Sequence, residues 1–140
     1  MVDFEFIEHT ADVGVRVQGA SAEELFENAA RVLFRLMVDY EPKPEIEERV
    51  VVEAEDCEEL LVTWLNELIS LFFAYKFLPA EYSIEIEDKL EQKVLKTCLR
   101  GDNFNPYKNK IKMEIKAATY HDLKVEKVDS GWVAEVIFDV

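Results

Sequence analysis

Apolar positions recur along this chain with two periods, and the switches between them outline the fold. Phe4 and Phe6, then Val13, Val15 and Val17, alternate with polar residues or Gly, the period of half-buried strands. Gly19-Ala20 ends the second run, and Ser21-Ala22-Glu23-Glu24 reads as a capping box. In that motif the Ser21 hydroxyl accepts an amide hydrogen bond while Glu24 reaches back to the Ser21 amide. Leu25, Phe26, Ala29, Ala30, Leu33, Phe34, Leu36 and Met37 then recur at helical spacing, which predicts one amphipathic helix to about Val38. Pro42 and Pro44 punctuate the loop that follows. Ile46 to Glu53 reads as a strand, and Asp56-Cys57-Glu58-Glu59 as a second helix start with Asp56 as N-cap.

The second helix, predicted from Leu60 to about Phe77, has hardly any polar face: Leu61, Val62, Trp64, Leu65, Leu68, Ile69, Leu71, Phe72 and Phe73 go all round it. Such a helix is buried on several sides. In a chain this short, that requires sheet on more than one side of it, or sheet on one side and the other helix on another. The remaining sequence is nearly all strand signal. Tyr82 to Ile86 alternates, Val94 to Arg100 follows, and Gly101-Asp102-Asn103-Phe104-Asn105-Pro106 reads as a turn-rich loop. Ile111, Met113 and Ile115 alternate with Lys112, Glu114 and Lys116, the pattern of another strand. Leu123 and Val125 precede a turn at Asp129-Ser130-Gly131, after which Trp132, Ala134, Val136 and Phe138 share one face and Asp139 falls on the other. The expected fold class is α+β: a layered β/α/β arrangement with two main helices packed against mostly antiparallel or mixed sheets, in one domain over residues 1–140.

Charge narrows the function. The net charge of −14 argues against a surface that grips nucleic acid directly, because phosphate binding relies on clustered Lys and Arg. The charge is also uneven: residues 1–60 carry 17 acids against 5 bases, and residues 89–127 carry 10 bases against 5 acids. An acidic surface suits solubility, cations or a basic partner. Cys57 and Cys98 show neither CxxC spacing nor a neighbouring His, so zinc and redox chemistry are not signalled. No secretory leader is evident, and Asn66, Glu67 and Lys76 interrupt the longest apolar segment, so a cytoplasmic protein without a membrane span is expected.

Catalytic signals are sparse. There is no Gly-rich phosphate loop, no Ser elbow and no paired-His helix, and His9 and His121 are the only histidines. What remains is oxygen chemistry at the two ends of the sequence. Asp12 opens one apolar strand, and Asp139 stands one residue from a terminal carboxylate at Val140. These groups make a small cation site only if their strands are neighbours.

Several words of the sequence, taken in order, are more specific than any one of them. They are Glu8-His9-Thr10-Ala11-Asp12-Val13-Gly14, Glu24-Leu25-Phe26-Glu27-Asn28-Ala29-Ala30, Trp64-Leu65-Asn66-Glu67-Leu68, Ile115-Lys116-Ala117-Ala118-Thr119-Tyr120-His121 and Phe138-Asp139-Val140. Together they resemble the archease family from end to end. The resemblance implies a cofactor protein rather than an enzyme, with no catalytic residues of its own. Archeases activate the RtcB-type RNA ligase of tRNA splicing, promoting guanylylation of its active-site histidine and multiple turnover, and can broaden its nucleotide preference. It also implies a divalent cation, Ca²⁺ first and Mg²⁺ or Mn²⁺ as alternatives, held by Asp12, Asp139 and Val140. Hard oxygen ligands agree with that choice over zinc. Lys116, with His9 and His121, falls on the implied partner-activating surface. In one respect the chain departs from many relatives: Lys108 is followed by Asn109 where they carry a basic residue followed by His.

Two rival readings follow from the residues. A stand-alone metal-dependent phosphoesterase would use Asp12, Asp139 and His121 and would act without a partner. A general chaperone for RNA-processing proteins would bind many clients and be indifferent to Asp139.

Overall fold

The computed structural model describes residues 3–7 and 12–140. In chain order the elements are β1 (Phe4–Ile7), β2 (Val13–Gly19), α1 (Ala22–Met37), β3 (Ile46–Ala54), α2 (Cys57–Tyr75), β4 (Phe77–Lys89), β5 (Gln92–Asn103), β6 (Ala117–Val128) and β7 (Gly131–Asp139). They form a four-stranded sheet ordered β1-β2-β7-β6 and a three-stranded sheet ordered β3-β5-β4. Every pairing within them is antiparallel. The helices make the middle layer. α1 packs on β2 and β7 of one sheet and on β4 of the other, while α2 packs on β6 and on β3, β4 and β5. The expected β/α/β layering is therefore the observed one, and the all-round apolar α2 is its cause. Leu60, Leu61, Trp64, Leu65 and Phe72 of α2 are completely buried, as are Val17, Leu33, Leu95, Leu99, Val136 and Phe138 from the surrounding elements. Trp64 also donates its indole N–H to the Phe26 carbonyl at 3.0 Å, tying the two helices together inside the core.

Both helix starts are capped, with one difference from the expected motif. Ser21 Oγ accepts from the Glu24 amide at 3.1 Å, but Glu24 reaches back to the Ala20 amide rather than that of Ser21. α2 repeats the arrangement: Asp56 accepts from the Glu59 amide at 2.8 Å, and Glu59 accepts from the Glu55 amide. At the other end of α2, Lys76 adopts the left-handed conformation (φ 60°), which turns the chain straight into β4. That turn lets β4 begin at Phe77, earlier than its alternation indicates.

Two segments depart from the sequence pattern. Gly101-Asp102-Asn103 continues β5 instead of forming a loop, and a Cβ at Gly101 would stand 1.9 Å from the Leu78 carbonyl oxygen. The glycine thus allows β4 and β5 to approach closely where the pairing shifts register. Ile111 to Lys116 is not a strand. Its alternation is real, and Ile115 is fully buried, yet apart from an isolated bridge between Ile111 and Val38 it pairs with no strand. Instead the Lys112 amide donates to the Met37 carbonyl at 2.7 Å, closing the last turn of α1. Among the described residues, no helix is long and apolar enough to cross a membrane.

Candidate functional site

The pairing of β2 with β7 brings distant parts of the sequence to one sheet end. Val13 lies opposite Phe138, with the register continuing through Val15 and Val136 to Gly19 and Trp132. Carried one residue outward, it sets Asp12 across from Asp139. Strand alternation turns Val13 and Phe138 toward the helices, so the two aspartates belong to the opposite face. On the far side of β7, Ala117 lies opposite Asp139, and the Lys116 amide donates to the Asp139 carbonyl at 2.8 Å. Asp12, Asp139, Val140 and Lys116 are thus gathered at the ends of three adjacent strands. Asp12 is half-buried, Asp139 and Lys116 are exposed, and Val140 is 40% exposed. His9 lies outside the described residues.

On the same outward face, Arg16 is engaged by carboxylates other than these two aspartates. Four residues along the chain from Asp12, Arg16 gives its Nε to Glu135 at 2.8 Å and its Nη1 to Glu5 at 3.0 Å. These bonds hold the guanidinium even more firmly protonated than usual, Glu135 contributing most. Between the two rows lies Gly14, opposite Ile7 on one side and Ile137 on the other. A Cβ at Gly14 would come within 2.9 Å of the Ile7 Cβ, so the glycine gives Ile7 room to lie close over β2.

His121 lies in a break in β6. Thr119 pairs with Ile137 and Lys124 with Glu135, so β6 advances five residues while β7 advances two. The three extra residues bulge out around Tyr120, His121 and Asp122, and Asp122 takes a left-handed φ of 51°. Tyr120 is 61% exposed, and His121 Nε2 stands 3.5 Å from Asp122 Oδ2. The bulge thus presents an aromatic ring and an imidazole beside the carboxylate end. Its trace in the sequence is a break in alternation: Ala118 and Tyr120 fall on one parity, Leu123 and Val125 on the other, with His121 and Asp122 both polar between them.

Asn66 is the contact that sequence reasoning missed. From the middle of α2 it accepts the Ala118 amide at 2.8 Å and donates to the Ala118 carbonyl at 3.2 Å. The available signal was a polar amide in an otherwise apolar helix, a position that stays buried only when hydrogen-bonded.

The donor chemistry of Asp12, Asp139 and a Val140 backbone oxygen fits a hard cation such as Ca²⁺, Mg²⁺ or Mn²⁺. Among the described residues there is no cluster of three or more His, Cys, Asp or Glu side chains able to hold a metal. Ca²⁺ takes about six to eight oxygens. Part of its shell here therefore falls to water or to groups from another molecule.

Comparison with known proteins bears on the whole length of the chain. Residues 4–140 match the model of the Archease protein family (MTH1598/TM1083). The protein archease of Methanosarcina mazei is 36% identical over 139 residues, covering 98% of this chain and 95% of that one. The protein archease of Pyrococcus furiosus is 38% identical over 144 residues and both chains are covered completely. That of Archaeoglobus fulgidus is 40% identical over 138 residues, with 98% of each chain covered. The solution structure of Methanobacterium thermoautotrophicum protein 1598 superposes with a TM-score of 0.85 at 32% identity, covering 98% of each chain.

Proposed function

Because the chain belongs to the archease family, we propose that it is a non-catalytic accessory protein that activates an RtcB-type tRNA-splicing RNA ligase. In this reading it promotes guanylylation of the ligase histidine and multiple turnover, with a divalent cation held by Asp12, Asp139 and Val140. The observation that carries the reading is the β2–β7 register, which brings carboxylates 127 positions apart in sequence to one strand end. A ligase active site that handles RNA phosphates is basic, and a protein of net charge −14 is complementary to it. A bound cation supplies charge neutralisation at transferring phosphate groups. The chain's own residues do the rest: Asp12 and Asp139 hold the ion at an exposed edge, Arg16 stays locked to Glu5 and Glu135, and Lys116 and the Tyr120–Asp122 bulge flank the approach.

Multiple-turnover ligation by the cognate ligase tests the proposal, comparing wild type with Asp12→Ala, Asp139→Ala and Lys116→Ala. Stimulation by the wild type and its loss in the aspartate variants is the expected result. Full stimulation by all three variants overturns the site, and phosphoester hydrolysis by the isolated chain points to the enzyme reading instead.

A further inference from the structure

Asn66 lies outside the site just described, yet its side chain holds the backbone that the site is built on. β6 is the edge strand of its sheet, bonded to β7 on one side only. In an antiparallel pair, alternate residues of an edge strand turn both backbone groups away from the partner, leaving them open. At Ala118 both groups are taken by the Asn66 carboxamide, which acts as a one-residue substitute for a missing strand. Ala118 lies opposite Phe138, and its neighbour Ala117 lies opposite Asp139.

The ladder at this end of β6 is short. Ala117, Ala118 and Thr119 pair with β7, and the Thr119 hydroxyl adds a bond to the Ile137 carbonyl at 2.9 Å. Before them the chain is irregular, and after them comes the three-residue bulge. A ladder of three residues between two irregular segments is weakly held by itself. α2 is the rigid element beside it, with Leu65 completely buried next to Asn66 in sequence. We infer that Asn66 is a positioning residue: it clamps β6 so that Lys116 and Asp139 keep their relative placement, and thereby sets the cation affinity of the strand end. The inference rests on the proposed cation site.

Calorimetric titration of the full chain with Ca²⁺ tests it, using wild type, Asn66→Ala and, as a control, Trp64→Phe. The control deletes another α2 hydrogen bond, the one to the Phe26 carbonyl of α1, and so lowers thermal stability without removing a hydrogen bond to β6. The expected result is an affinity about tenfold lower in Asn66→Ala, the usual scale for loss of an outer support of a metal site, with faster hydrogen exchange of the Ala118 amide. Trp64→Phe should keep wild-type affinity at a reduced melting temperature. Wild-type binding with unchanged affinity in Asn66→Ala overturns the inference alone, as does an equal loss in Trp64→Phe. Absence of Ca²⁺ binding by the wild type overturns the cation reading and the inference with it.

Discussion

Replacing Asp139 by Asn should change stability in opposite directions with and without a cation. Residues directly opposite on antiparallel strands have Cβ atoms about 5 Å apart. Two like charges at that separation in water repel by roughly 0.8 kcal/mol, less in salt. The register, carried one residue beyond Val13 and Phe138, sets Asp12 and Asp139 in that relation at the ends of the two central strands, and Arg16 is bonded to Glu5 and Glu135. Without cation, Asp139→Asn should therefore gain about 0.5 kcal/mol, which for a chain of this size is about 1–2 °C in melting temperature. With cation at a hundred times its dissociation constant, the wild type gains about 2.7 kcal/mol, or about 8 °C, and the variant gains little. Thermal melts in chelator and in millimolar Ca²⁺ should thus reverse in order. If both proteins shift equally with Ca²⁺, or the variant is the less stable in chelator, the pairing argument is wrong.

Other outcomes follow from the packing. Gly101→Ala forces a methyl group onto the Leu78 carbonyl at 1.9 Å; urea denaturation should show a loss of at least about 3 kcal/mol, and a loss under 1 kcal/mol would refute the close approach. Tyr40 donates to Asp102 at 2.6 Å, a bond that holds its hydroxyl up to about 12. Its protonated form is favoured in the fold, so that contribution is intact below pH 10 and lost as pH climbs from 10 to 12. The wild type should lose its advantage over Tyr40→Phe across that window, whereas a constant difference contradicts the assignment; Tyr82, also pushed up by burial, titrates equally in both. Trp64→Phe leaves the Phe26 carbonyl without its donor and should cost about 1–3 kcal/mol by chemical denaturation.

Local periodicity carried most of the fold. Val13, Val15 and Val17 mark β2, the Leu25-to-Met37 spacing marks α1, and the nearly all-apolar circumference of α2 required a layer on more than one side of it. Periodicity failed where long-range contacts decided. Ile111 to Ile115 alternates like a strand but finds no neighbouring strand, because its amides serve the end of α1. The early start of β4 depends on a left-handed Lys76, for which no glycine gave warning. At the candidate site, Asp12 and Asp139 were named by resemblance, but their adjacency depends on a strand register between distant segments, which leaves no local trace. The bulge at Tyr120 to Asp122 and the Asn66 clamp left only faint local traces, a change in the parity of apolar positions and a lone amide in an apolar helix, because each is defined by a partner far away in sequence.

The most direct test of the shared-ion claim is paramagnetic broadening of amide resonances by substoichiometric Mn²⁺. The account predicts that signals of Val13, Ala117, Phe138 and Asp139 fade first and together, and that Asp139→Asn abolishes the effect. Broadening that begins instead at the acidic first turns of α1 or α2, or spreads evenly over the acidic surface, would contradict it.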